Sequence, residues 1–285
     1  MAKCIQCGRQ LPAFSFKRIC QWCQLHEAEQ RGEVTDEVRQ RVMPAPWVRN
    51  ESRITLTHVL FGANVAIFVA MVAASGSIDF PNAIAVHFGA NVGIYTLTGE
   101  WWRLFTYMFL HGGVLHIAFN MWCLWDLGAL CESLYGRWTY AAIYFITGIA
   151  GGLGSIIWNP GAFTVGASGA IFGLCGALIA SFYLGEFSLP RIAIGGTLRS
   201  LIVFAVFNLF LGGFFGGIDN ACHIGGLLSG LALGAVIAKF APHSEHAPRR
   251  VLLFIVAAFV LAVCALALAH HYGVPLRLGR SPFHP

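Results

Sequence analysis

The residues that could do chemistry in this chain are few. Ser168 lies in Gly166-Ala167-Ser168-Gly169, after a loop with Pro160 and Gly161 and before an apolar helix. It therefore falls in the first turn of that helix. The first backbone N–H groups of a helix have no internal partner and attract negative charge. A tetrahedral intermediate on Ser168 Oγ would place its oxyanion beside such donors, and Gly166 and Gly169 would let a substrate backbone approach closely. A serine needs a base. His223 opens another apolar stretch, in Asp219-Asn220-Ala221-Cys222-His223-Ile224-Gly225-Gly226. If both helices run in one direction, both residues lie near the same end and can share a depth. Gly169, Gly173 and Ala177 form one small-residue stripe and Gly226, Gly230 and Gly234 another, each at helical spacing. Close packing of those stripes would bring hydroxyl and imidazole within hydrogen-bond reach. Phe172, four residues after Ser168, shares its face and could pack against the imidazole. His116 and Asn120 are spaced i, i+4 and can both donate to developing negative charge. His111 lies one turn nearer the surface.

Any one of these residues alone reads as a packing or mutually satisfied polar residue. Their joint occurrence at matching depth points to catalysis. Asp126 and Glu132, at the other end of the same stretch, read as snorkelling or helix-capping residues near the membrane interface.

A second cluster is Cys4-x2-Cys7-x12-Cys20-x2-Cys23. Paired CxxC knuckles bring four thiolates around one ion, which suits structural tetrahedral zinc. Four cysteine ligands leave no open coordination position, so this metal would fold the head and not catalyse. The head could bind a cytoplasmic partner. The other five cysteines are dispersed through apolar segments and read as small packing residues.

The elements that must position these groups follow from composition. Apolar residues make up 57% of the chain and charged residues 11%, with a mean hydropathy of +0.68. Soluble domains carry about 25% charge, so lipid is the solvent for most of this chain. The net charge of +5 is spread along the sequence, which speaks against nucleic-acid binding. Taking about 20 apolar residues per crossing, seven spans are expected, at 54–74, 104–131, 139–158, 168–184, 199–216, 220–240 and 251–270. No cleavable signal peptide is apparent. Placing the N-terminus in the cytoplasm puts 15 of the 18 Lys and Arg inside, leaving only Arg103, Arg277 and Arg280 outside. The expected protein is thus an all-α polytopic membrane protein of the bacterial inner membrane, N-terminus inside and C-terminus outside. Its expected segments are a zinc-ribbon-like head (1–26), a charged linker (27–53, with 33–42 as a solvated helix or linker), a catalytic core (54–240), and a seventh helix with a tail (241–285).

Glu100-Trp101-Trp102-Arg103, the run HGGVLHIAFN from His111 to Asn120, GASG around Ser168, and His223 followed by Gly226 and Gly230 together resemble the rhomboid family of intramembrane serine proteases. The resemblance covers about residues 54–240. It implies a six-helix core, Ser168 as nucleophile, His223 as base and then acid, and no third carboxylate. It further implies an oxyanion hole from His116, Asn120 and the Ser168 N–H, a first loop shaped by Trp102 and Arg103, no catalytic cofactor, and single-span membrane proteins as substrates. A non-catalytic, client-binding relative would lack Ser168 or His223. A transporter would need several charged groups at mid-membrane. Neither condition is met.

Overall fold

A computed structural model describes residues 4–6, 19, 21–32, 55–184, 191–214, 217–241 and 247–272. The chain divides into two compact units, residues 1–53 with 187–197, and residues 54–186 with 198–285.

In the first unit, helix α1 (Gln21–Gln30) continues past residue 26. Cys4 is buried, with Ile19 and Cys23 packed against it. Cys7, Cys20, the linker from 33 onward and the tail from 273 lie outside the described residues.

Length and composition among the described residues give six helical segments able to cross a bilayer. They are Leu56–Ser75, Val114–Tyr135, Arg137–Trp158, Ile194–Phe214, Asn220–Phe240 and Pro248–His271. The shorter apolar helix Ser168–Leu184 runs among them. The chain is an integral, all-α membrane protein, as its composition requires.

Helix α2 (Leu56–Ser75) starts against a carboxylate. Glu132 accepts from Leu56 N at 2.7 Å, Thr57 N at 2.9 Å and Thr57 Oγ1 at 2.8 Å. These donors have no partner inside the helix, and the positive end of its dipole favours an acid there. The capping role expected of Glu132 is therefore observed. After α2 the chain makes short elements: α3 (Asn82–Phe88), β1 (Asn91–Val92), α4 (Gly93–Leu97), α5 (Arg103–Thr106) and a 3-10 turn at Tyr107–Phe109. Arg103 knits them together. Its Nη1 donates to Val86 O at 2.8 Å and Ala90 O at 2.9 Å, its Nε to Glu100 at 2.6 Å, and its guanidinium lies 4.7 Å from the centre of the Trp102 ring. Gly89 has φ +103°, and a Cβ there would strike Trp102 and Thr106, so only glycine fits this turn.

The expected span at 104–131 begins later than the hydropathy suggested. Residues 103–109 form the short turns just described, and the Gly112-Gly113 pair separates them from α6 (Val114–Cys123). His111 consequently lies before the helix, not within it. The span continues through a π turn (Leu124–Gly128) into α7 (Ala129–Tyr135). Asp126, in the π turn, has no capping contact among the described residues.

Helix α8 (Arg137–Trp158), α9 (Ser168–Leu184) and α11 (Asn220–Phe240) meet almost backbone to backbone. A Cβ at Gly226, Gly230 or Gly234 would land on the carbonyl of Gly169, Gly173 or Ala177 respectively. The two small-residue stripes read from the sequence thus face each other pair by pair. Gly151 of α8 closes the third side, where a Cβ would lie 3.4 Å from Gly169 Cα and 2.9 Å from Cys222 O. With only glycine and alanine in the seam, the backbones approach closely enough for dispersion to act over many atoms. Helix α10 (Arg191–Phe214) reaches α9 through Phe204, whose ring is 5.6 Å from that of Phe172. Helix α12 (Ala247–His271) packs through Ala265 and Ala269 against Leu97, Leu104, Leu153 and Ile156.

Candidate active site

Two loops position the candidate side chains. The loop before α9 is pinned twice. Strand β2 (Phe163–Thr164) pairs antiparallel with β1, Asn91 opposite Thr164, and Gly166 N donates to Tyr107 O at 2.9 Å. The turn before α11 is pinned by Asp219. Its carboxylate accepts from Cys222 N at 2.9 Å, capping the helix, and from Thr164 Oγ1 at 2.7 Å and Ser155 Oγ of α8. The carbonyl of Asp219 accepts from His223 N at 3.2 Å. One carboxylate thus ties the first turn carrying His223 to the loop carrying Ser168 and to α8.

With both helix starts fixed, His223 Nε2 lies 2.8 Å from Ser168 Oγ. The Phe172 ring stacks on the imidazole, centroids 4.4 Å apart and planes 11° from parallel. His223 is buried and Ser168 half-buried. Nδ1 of His223 has no hydrogen-bond partner among the described residues. Asp219, although close in sequence, spends its carboxylate on Ser155, Thr164 and the helix cap. The arrangement is a pair, not a triad.

Depth follows from the packing register. Gly169 is level with Gly151 of α8, and α8 runs seven residues further to Trp158. At about 1.5 Å per residue the Ser168 end of α9 is recessed by roughly 10 Å from the end of α8. The reason is length: α9 has 17 residues and α8 has 22.

His116 leans over Gly166. That glycine has φ +120°, and a Cβ on it would lie 2.7 Å from His116 Nε2 and 3.8 Å from Ser168 Oγ. Glycine is thus required here both by the backbone angle and to leave a small space bounded by the imidazole and the hydroxyl. Gly112 N donates to His116 Nδ1 at 3.4 Å. In the neutral ring that assigns the proton to Nε2, the nitrogen facing the space. Asn120 is buried one turn below, and its Nδ2 donates to His116 O at 2.9 Å. His111 is fully buried and meets His116 edge-on at 5.1 Å. Trp102 and Arg103 do not line this space. They hold the preceding loop, as described above.

Sequence reading missed Tyr107 and the partners of Asp219. Tyr107 Oη donates to Gly148 O at 2.6 Å, and its main chain anchors Gly166. Nothing in its local sequence signals this. Asp219 carries a readable signal, an Asp three residues before a helical N–H, but its links to Ser155 and Thr164 are tertiary. A separate cleft of about 400 Å³ is lined by Ser155, Trp158, Ile218, Asp219 and Ile224. Neither Ser168 nor His223 borders it.

Residues 98–240 match the family model described as the rhomboid domain. The chain is 36% identical over 183 residues to rhomboid protease GluP of Bacillus subtilis, covering 64% of this chain and 35% of that protein. It is 32% identical over 212 residues to rhomboid protease AarA of Providencia stuartii, covering 67% and 74%. It is 37% identical over 143 residues to RHOMBOID-like protein 1 of Arabidopsis thaliana, covering 48% and 34%. The chain thus spans about a third of the length of the first and third proteins and about three quarters of the second. With half of its length under the domain model and a relative matched over most of that relative's extent, the chain belongs to the rhomboid family.

Proposed function

We propose that this protein is an intramembrane serine endopeptidase that cuts single-span membrane proteins with a Ser168–His223 dyad. The observation that carries the reading is the 2.8 Å contact between His223 Nε2 and Ser168 Oγ in a recess below the end of α8. His223, neutral at rest, takes the Ser168 proton as Oγ attacks the scissile carbonyl. It then returns that proton to the leaving amine, and water releases the acyl group by the same route. The oxyanion occupies the space over Gly166. There it accepts from His116 Nε2–H and the Ser168 N–H, with Asn120 in support. Phe172 fixes the plane of the imidazole, and Gly169 lets α11 approach. Trp102 and Arg103 hold the first loop beside the bilayer. A helical peptide bond is shielded, so the substrate must unwind before it reaches Ser168. The relatives named as rhomboid proteases support the same activity.

The orientation that fits the Lys and Arg distribution has the N-terminus in the cytoplasm of a bacterial cell and the site toward the outside. In the head, Cys4 Sγ and Cys23 Sγ are 3.9 Å apart. Two thiolates on one tetrahedral zinc, with bonds of about 2.3 Å, stand about 3.8 Å apart. That spacing supports a structural zinc completed by Cys7 and Cys20, in a head suited to a cytoplasmic partner. Metal content of the protein with and without Cys4→Ser and Cys23→Ser tests it, and equal zinc in both would remove the site.

The decisive assay is cleavage of a single-span substrate in liposomes by the wild type, Ser168→Ala and His223→Ala, with labelling by a serine-directed phosphonate. Losses of about a thousandfold or more are expected in both variants. Equal cleavage by all three would end the dyad reading.

A further inference from the structure

The span Val114–Tyr135 carries a carboxyl group that the fold does not use. Asp126 lies in the π turn Leu124–Gly128 and is exposed on the outside of the bundle. Among the described residues it makes no hydrogen bond or ion pair. At about 1.5 Å per residue it sits roughly 18 Å from Val114 and roughly 9 Å from Glu132, the residue that closes the far end of the span against α2. With Glu132 at the inner end of the span, where the Lys and Arg distribution puts it, a side chain as short as aspartate falls short of that end, so the snorkelling expected of Asp126 does not account for it. A polar group facing hydrocarbon without a partner is costly, and such residues mark sites of function by default. The π turn points the same way, because single wide turns of this kind recur at functional positions.

Asp126 also ends a stripe. Leu115, Phe119, Trp122 and Asp126 are spaced four, three and four residues apart, so they share one face. The first three are 76%, 60% and 65% exposed. His116 and Asn120 occupy the adjoining face, and His116 Nε2 borders the space beside Ser168. A helix lying along the stripe would therefore lead directly into the site. From His116 to Asp126 the drop is roughly 15 Å, the length of about ten helical residues.

We propose that Asp126 is a recognition residue for the substrate's transmembrane helix, pairing with a hydrogen-bond donor, Lys, Asn or Ser, carried about ten residues deeper in the membrane than the scissile bond. This rests on the endopeptidase reading, since it places the scissile bond at Ser168. The chemistry is complementary. Donor and acceptor, each poorly solvated in lipid, satisfy one another only when the helix is docked, and the apolar stripe supplies the remaining contact.

The test uses the full chain in liposomes and a single-span substrate with Leu, Lys, Asn or Ser at that depth, or with Lys on the opposite face. Binding is read by energy transfer to Ser168→Ala protein, and cleavage by wild type. A donor at the matching position should tighten binding and lower KM by about threefold to tenfold, the range for one interhelical polar contact. That gain should vanish in Asp126→Leu, and Asp126→Asn should keep it for Ser and Asn. The kcat for the leucine substrate should stay unchanged in Asp126→Leu. A gain that persists in Asp126→Leu, or equal binding of all substrates, overturns the proposal. So does an Asp126→Leu protein whose oligomeric state changes while substrate affinity does not, because the face would then belong to a second copy. A donor-dependent binding gain without any cleavage supports the recognition role and sinks the endopeptidase reading alone.

Discussion

Replacing Gly226 with alanine puts one methyl group into the seam beside the proposed dyad. That methyl would overlap the carbonyl oxygen of Gly169 and lie 2.9 Å from its carbon. Carbon atoms in good contact stand about 3.5–4.0 Å apart, and the overlap with the oxygen is tighter than the contact with the carbon, so α9 and α11 must separate locally by roughly 1.1 Å or more. The obstacle is main chain, which cannot rotate aside. Gly226 is three residues from His223 and its partner is adjacent to Ser168, so the Ser168–His223 contact of 2.8 Å opens to about 3.9 Å or more, beyond hydrogen bonding. Loss of the general base lowers turnover by about a hundredfold or more, and overpacking costs about 1–3 kcal/mol of stability. Gly230→Ala and Gly234→Ala meet Gly173 and Ala177 in the same way but lie one and two turns further from the dyad. The three variants should lose similar stability while activity falls most for Gly226 and least for Gly234. The assay pairs turnover in liposomes with thermal unfolding in detergent. A folded Gly226→Ala protein of wild-type turnover, or three variants of equal activity, would refute the claim that this seam sets the dyad distance.

Phe172→Leu removes the ring stacked on His223 and should cut kcat by about twofold to tenfold with little change in KM, the worth of one aromatic pair; unchanged turnover would discard the stack. Glu132→Gln weakens the cap on α2 and should destabilise the fold by about 1–3 kcal/mol while leaving turnover near normal, because Glu132 is at the far end of the span from Ser168. Arg103→Lys cannot reach the carbonyls of Val86 and Ala90 and Glu100 together, so hydrogen exchange over residues 82–106 should quicken, and an unaltered exchange pattern would count against the loop-holding role.

Much of the candidate site's geometry was legible because its demands are local. A serine in the first turn of a glycine-flanked helix, a histidine near the start of another, and small residues, glycine or alanine, every fourth position on both can be read along one dimension. The facing of Gly226 to Gly169 and Gly230 to Gly173 follows from that spacing, since two helices that must touch do so along their smallest faces. Helix starts were less legible. Apolar residues from 104 to 110 resembled the beginning of a span, yet Arg103 folds the preceding segment into turns and Gly112-Gly113 delays the helix to Val114. Hydropathy registers the solvent of a segment and is blind to its dihedral angles.

The sequence by itself determined that this chain lives in lipid and where its long apolar stretches lie, and it singled out one hydroxyl and one imidazole as a candidate pair. Only the tertiary structure decided that Asp219 serves Ser155, Thr164 and a helix cap instead of His223, that Tyr107 anchors Gly166, and that Asp126 faces outward from a π turn. The physical reason is direction. Periodicity fixes which residues share a face, whereas the partner that a polar group meets depends on how whole helices are rotated and offset, and that is settled by packing between segments far apart in the chain.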